Sequence, residues 1–150
     1  MSEGKSKCVV ISNASNRLFT RGGVFRLMAK FLWAINRFLF SCDIQIGAQI
    51  DPSTHFYHGG LGVVVHKNAV IGRECIVMQG VTIGSALRKE ASFEQNDVAP
   101  IIGDGVLIGA GATVLGDVRI GGGSVIGAGA VVTKSVPANS TVVGIPARVI

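Results

Sequence analysis

From Ile102 to Thr133 the aliphatic positions repeat every six residues, at Ile102, Ile108, Val114, Ile120, Ile126 and Val132. Four residues after the first five comes a second small or apolar side chain, at Val106, Ala112, Val118, Ser124 and Ala130. A period of six fits neither an amphipathic helix, at about 3.6, nor a half-buried strand, at about 2. It fits a solenoid in which three short strands make each coil of a triangular prism. The leading aliphatics fill the interior. Gly103, Gly109, Gly121 and Gly127 follow four of them and are expected to supply the backbone angles of the corners.

The same period runs earlier, through Ile44, Ile50 and Phe56 and then Val65, Ile71, Val77 and Ile83. The step between Phe56 and Val65 is nine residues and holds Tyr57-His58-Gly59-Gly60-Leu61-Gly62, a bulge from the regular coil. A second break separates Ile83 from Ile102. Residues 85–98 within it are polar and aperiodic, an excursion of the kind that sits where ligands bind. After Val132, Pro137 and Pro146 force turns.

Ahead of the solenoid, Val24 to Phe40 reads as a helix with a broad apolar face and a narrow polar side of Arg26, Lys30 and Arg37 with Asn36 beside them. Such a helix caps the open end of the solenoid or packs against other subunits. Its face and edge also suit a membrane interface. Residues 1–20 show no assignable element. The chain divides into a basic arm, residues 1–42 with one amphipathic helix, and an all-β solenoid, residues 43–150.

Composition fits this reading. Of 150 residues, 48% are hydrophobic and only 15% charged, as a stacked column of Ile and Val requires. The net charge of +5 is uneven: residues 1–42 carry seven Lys or Arg against one Glu, the rest seven against eight Asp or Glu. The basicity belongs to the arm, which has no nucleic-acid module, so nucleic acid is not an expected partner. Cys8, Cys42 and Cys75 form neither a disulfide framework nor a zinc motif. With no cleavable signal pattern and no run long enough to span a bilayer, a cytoplasmic location is expected.

Titratable groups are few, so those at irregularities stand out. His58 lies in the first bulge among glycines and can act as a general base near neutral pH. Asp43 comes fifteen residues earlier, a little less than one coil, and adjacent coils lie about 4.8 Å apart. A carboxylate so placed could orient the imidazole and stabilise its charged form. His55 and His66 read as corner or surface residues.

Gly62-Val-Val-Val-His-Lys-Asn-Ala-Val-Ile-Gly72, Gln79-Gly-Val-Thr-Ile-Gly84, Ile108-Gly-Ala-Gly-Ala112, Ile126-Gly-Ala-Gly-Ala130 and Gly144-Ile-Pro-Ala-Arg148 resemble the hexapeptide-repeat acyltransferases. The likeness covers about residues 43–150 and is greatest to serine acetyltransferases and their relatives in polysaccharide gene clusters. It implies a left-handed parallel β-helix, an exception to the usual right-handed crossover. It also implies a homotrimer, with acetyl-CoA in the groove between subunits and no metal. His58 matches the family's catalytic histidine and Asp43 its aspartate partner. The resemblance implies that Gly84, Gly109, Ala110, Gly127 and Ala128 line the path of the pantetheine arm. Lys134 and Arg148 are expected partners of the CoA phosphates. Tyr57 and Gln79 are expected to face a small-molecule acceptor.

Three departures bear on the acceptor. Serine acetyltransferases carry an Asp where this chain has Tyr57, and an Arg-His pair where it has Val98-Ala99 before Pro100. They also carry a long N-terminal helical domain, which the 42-residue arm does not match. A zwitterion's charges left unpaired in a site are costly. The expected acceptor is therefore a neutral hydroxyl, such as a sugar of a surface polysaccharide or its precursor, and the basic arm then suggests work at the inner face of the membrane. The alternatives are serine O-acetylation in cysteine biosynthesis, N-acetylation of an amino sugar, and a non-catalytic β-helix scaffold.

Overall fold

The computed structural model describes residues 6–86, 92 and 97–150. Two helices, α1 (Lys7–Arg21) and α2 (Val24–Phe40), precede the coils. The first coil holds β1 (Asp43–Ile44), β2 (Gln49–Ile50) and β3 (His55–Phe56), and the second β4 (Val64–Val65), β5 (Val70–Ile71) and β6 (Ile76–Val77). The third holds β7 (Thr82–Gly84), β8 (Ile101–Ile102) and β9 (Leu107–Ile108), and the fourth β10 (Thr113–Leu115), β11 (Arg119–Ile120) and β12 (Val125–Ile126). β13 (Val131–Val132), β14 (Thr141–Val143) and β15 (Arg148–Val149) close the prism.

Every third strand pairs in parallel, giving three faces: β1-β4-β7-β10-β13, β2-β5-β8-β11, and β3-β6-β9-β12-β14, with β15 antiparallel on β14. This is the left-handed parallel β-helix that the resemblance implied. Register stacks like on like: Ile44, Val65, Ile83, Val114 and Val132 form one interior column. All are buried, as are the second-position residues Val106, Ala112, Val118, Ser124 and Ala130. The period of six was thus a period of burial.

The glycines that follow the leading aliphatics act differently from the expectation. None of Gly103, Gly109, Gly121 and Gly127 has positive φ. A Cβ on Gly109 would stand 2.6 Å from the Ala128 nitrogen, and one on Gly103 2.7 Å from the Gly122 nitrogen. These positions are glycine because the next coil passes over them. The left-handed turns fall two residues later, at Gly111 and Gly129, each with φ +67°.

The arm holds two helices where one was expected. Residues 7–21, in the stretch that showed no element, form α1, and α1 caps the first coil while α2 lies against α1. The stripe α1 buries is Cys8, Val9, Ser12 and Ser15, too polar to register as amphipathic. The first coil has an edge of unpaired backbone groups on each face. Polar side chains in and just before α1 satisfy several of them. Phe56 N–H donates to Ser6 Oγ at 2.8 Å, Asn13 Nδ2 to the Ile50 carbonyl at 3.0 Å, and Asn16 Nδ2 to the Ala48 carbonyl at 2.7 Å. Ser15 Oγ and Asn36 Nδ2 bond carbonyls of the facing helix, tying the hairpin. Cys8, Val9 and Cys42 join the same core as the coils. Among the described residues no helix is long and apolar enough to cross a membrane.

Candidate active site

His58 sits in the short 3-10 turn Tyr57–Gly60, where the third face turns back into the first. Its own backbone is left-handed (φ 52°, ψ 34°), and Gly59 follows with φ 68°. A non-glycine residue in that region is uncommon and gathers at functional turns. The turn is held by Gly62 N–H donating to the Ser41 carbonyl at 2.8 Å and Val63 N–H to Gly60 at 2.9 Å. Gly60 rests on a floor of thiols: a Cβ there would meet Cys8 Sγ at 3.2 Å, Phe56 at 3.4 Å and Cys42 at 3.6 Å. A hydrogen bond to Cys8, then burial, pushes the Cys42 pKa far up, so it stays a thiol. The three cysteines are free and buried.

This packing exposes the His58 side chain. With His55, Gly59, Phe40, Ser6 and Lys7 it lines a cavity of about 360 Å³. Tyr57, half-buried, stands edge-on to His55 with ring centroids 4.8 Å apart.

Asp43 opens the first face, on the strand beside which this turn ends. Its Oδ2 accepts from Arg37 Nη1 at 3.0 Å, while its Oδ1 is buried with no hydrogen-bond partner. The expected pairing of Asp43 with His58 is not formed here; Arg37 holds the carboxylate from α2. The Arg37 guanidinium is itself placed over the Trp33 ring, 5.6 Å from its centroid.

The edge bearing His58 carries most of the other candidates. Gly80 N–H donates to the Leu61 carbonyl, Gly111 N–H to Gln79 and Gly129 N–H to Ala110, at 2.8 to 2.9 Å. The corners of Tyr57–Gly62, Gln79–Val81, Gly109–Ala112 and Gly127–Ala130 therefore stack in one line. Gln79 presents a second orphan, a buried Oε1 with no partner. A Cβ on Gly111 or Gly129 would meet nothing within 4 Å, so a substrate arm can approach the backbone there.

Gly84 and Lys134 lie elsewhere, on the edge where the first face turns into the second. Lys134 and Arg148 line a common cleft of about 260 Å³ at the C-terminal end, and among the described residues neither has an ion-pair partner. Two cations in one cleft suit phosphate groups. The residues present thus fit the co-substrate, but one chain divides them between two edges.

The excursion starts on this second edge. Its residues 87–91 and 93–96 lie outside the described residues. Its return is anchored in a way the sequence reading missed. Asp97 meets Lys67 Nζ at 2.8 Å and His66 Nε2 at 3.3 Å, and its carbonyl accepts from Asn68 Nδ2 at 2.7 Å. His66, expected to be a plain corner residue, is one of the three partners in this anchor. The Lys67 ammonium, and then Asn68, hold the Asp97 carboxyl below its ordinary pKa.

Comparison with known proteins follows the same lines. The family described as bacterial transferase hexapeptide (six repeats) matches residues 99–134. A serine acetyltransferase of Synechocystis sp. (strain ATCC 27184 / PCC 6803 / Kazusa) is 41% identical over 146 residues, covering 96% of this chain and 55% of that protein. That of Staphylococcus aureus (strain Mu50 / ATCC 700699) is 41% identical over 122 residues, 81% of this chain and 54% of that protein. Among solved structures, serine acetyltransferase from Brucella abortus strain S19 in complex with coenzyme A aligns with a TM-score of 0.85 and 36% identity, over 95% of this chain and 54% of that one. Soybean serine acetyltransferase complexed with serine gives 0.84 and 38%, over 95% and 56%. The chain is a hexapeptide-repeat, serine acetyltransferase-like β-helix. It spans about half the length of the curated relatives it matches.

Proposed function

We propose that the protein transfers the acetyl group of acetyl-CoA to a hydroxyl acceptor, with His58 as general base. The observation that carries this is the exposed His58 on a left-handed turn, at one end of an edge whose later corners are small and open. His58 takes the proton of the acceptor hydroxyl as that oxygen attacks the thioester carbon, and the CoA thiol leaves. Asp43, whose Oδ1 is buried and unpartnered, is the carboxylate proposed to orient His58 and stabilise its charged form. Holding both substrates in one groove provides much of the rate.

L-serine is the better-supported acceptor, because the relatives named above are serine acetyltransferases and one was solved with serine. That shifts the weight away from the polysaccharide sugar that the sequence suggested. The sugar reading keeps two observations: Tyr57 stands edge-on to His55, which lines the cavity, and Val98 and Ala99 bring no charge to bind an ammonium and carboxylate.

The division of candidates between two edges supports a homotrimer, in which one subunit's His58 edge faces the next subunit's Gly84 and Lys134 edge. The protein would work in the cytoplasm, where acetyl-CoA is at hand, and its cationic hairpin is the part suited to a lipid surface. Mass spectrometry of reactions with acetyl-CoA and either L-serine or a panel of sugars and nucleotide sugars tests the acceptor. O-acetylserine as the main product supports the serine reading; an acetylated sugar with serine untouched overturns it in favour of the glycan.

A further inference from the structure

The outer side of α2 is apolar and uncovered. Leu27, Phe31 and Phe38 are 69%, 66% and 85% exposed, and Val24 and Leu39 more than half. Their spacing puts all five on one face of the helix, while Ala29 and Asn36 on the other side are buried against α1. Arg26 and Lys30 run along the flank, in line with Arg37, which is paired with Asp43. At the hairpin tip the Arg21 guanidinium lies 5.8 Å from the Phe25 ring centroid and that of Arg26 5.4 Å from Phe19.

Charge decides what can cover such a face. Residues 4–42 contain no Asp or Glu. A second copy of this hairpin would bring like charges together with no carboxylate to answer them. The occupant must offer both an apolar phase and negative charge, and an amphipathic helix with a basic flank is built for that boundary. We propose that the α1–α2 hairpin docks the protein on anionic lipid, with the Val24–Leu39 stripe entering the acyl boundary and the flanking cations meeting the headgroups. The inference is read from the hairpin alone and stands whether or not acetyl transfer is the activity.

Co-sedimentation of the whole chain with vesicles tests it. Pelleting with phosphatidylcholine–phosphatidylglycerol vesicles, absent with phosphatidylcholine alone and weakened by salt, is expected. Leu27→Asp/Phe31→Asp and, separately, Arg26→Glu/Lys30→Glu should each lower the bound fraction about tenfold or more. The second variant touches only exposed charge and keeps the test sound if the first fails to fold. No pelleting, or equal pelleting on neutral vesicles, overturns the inference. So does a smaller assembly for Leu27→Asp/Phe31→Asp in light scattering with vesicle binding intact, which would make the stripe a subunit contact.

Discussion

Arg37 holds Asp43: its Nη1 donates to Oδ2 at 3.0 Å, and Asp43 Oδ1 stays buried and unpartnered. The two oxygens thus differ, one tied to the helical hairpin and one without a partner. The Arg37 side chain is 58% exposed and the pair is half in water, so the bond itself is worth at most about 1 kcal/mol. Arg37→Gln should therefore shift denaturation midpoints little. Asp43→Asn should leave the fold intact yet lower kcat by up to about ten thousandfold, because an amide cannot stabilise the charged imidazole. Steady-state kinetics of both variants would show it, and equal losses in the two would mean that Asp43 acts only through Arg37.

Gly109 and Gly111 offer a contrast. A Cβ on Gly109 would press on the Ala128 backbone at 2.6 Å, whereas Gly111 has open space and only a left-handed φ of +67°. Gly111→Ala should cost about 1 kcal/mol of backbone strain. Gly109→Ala must push neighbouring coils apart and should cost about 3 kcal/mol, the upper end for overpacking. Urea unfolding of the pair should rank them in that order; the reverse order would restore the corner-angle explanation for Gly109.

Gly60→Ala combines both penalties, a φ of +82° and contact with Cys8 Sγ at 3.2 Å. A loss of about 2–3 kcal/mol is expected, with acetyl transfer reduced in the fraction that remains folded because the His58 turn is lifted from its floor. Thermal melts and activity measured well below the midpoint separate the two effects.

Asp97 sets the pH behaviour of the excursion's anchor. Lys67 lowers its folded pKa, so the anchor's contribution is complete above the unfolded carboxyl value, about 3.9, and is lost only as pH falls through the lower folded value. Carboxyl titration should leave the anchor constant between neutral pH and about pH 5. Hydrogen exchange at the His66–Asn68 corner, corrected for the intrinsic pH dependence of exchange, should show flat protection over that range in wild type and weaker protection at every pH in Asp97→Ala. A loss of protection near neutral pH in wild type would show that Asp97 is not the group in control.

The interior of this protein was legible because burial follows chain position here: Ile44 through Val132 stack by register, and each six-residue step is one face. α2 was legible for its apolar run. α1 was not, since its buried side is Ser12, Ser15 and Cys8 and its purpose is to satisfy strand edges with Ser6, Asn13 and Asn16. Such contacts join residues about 30 to 50 positions apart and leave no period. The same holds for Asp97 on His66, Lys67 and Asn68, while Arg37 on Asp43, only six positions away, joins two different elements and so follows neither period. His58 stood out because the nine-residue step broke the repeat. Asp43 could be placed a little less than one coil away by spacing, but spacing could not tell that its carboxylate would face Arg37.

The central claim is that His58 is the base of an acetyl transfer. Thiol release from acetyl-CoA, followed with L-serine or a sugar acceptor for wild type and His58→Ala at matched oligomeric state, tests it most directly. Acceptor-dependent release is predicted in wild type, with a loss of at least about a hundredfold in the variant and acetyl-CoA binding retained. Equal release by the two proteins would remove His58 from the chemistry, and acetyl-CoA binding by neither would favour a non-catalytic β-helix.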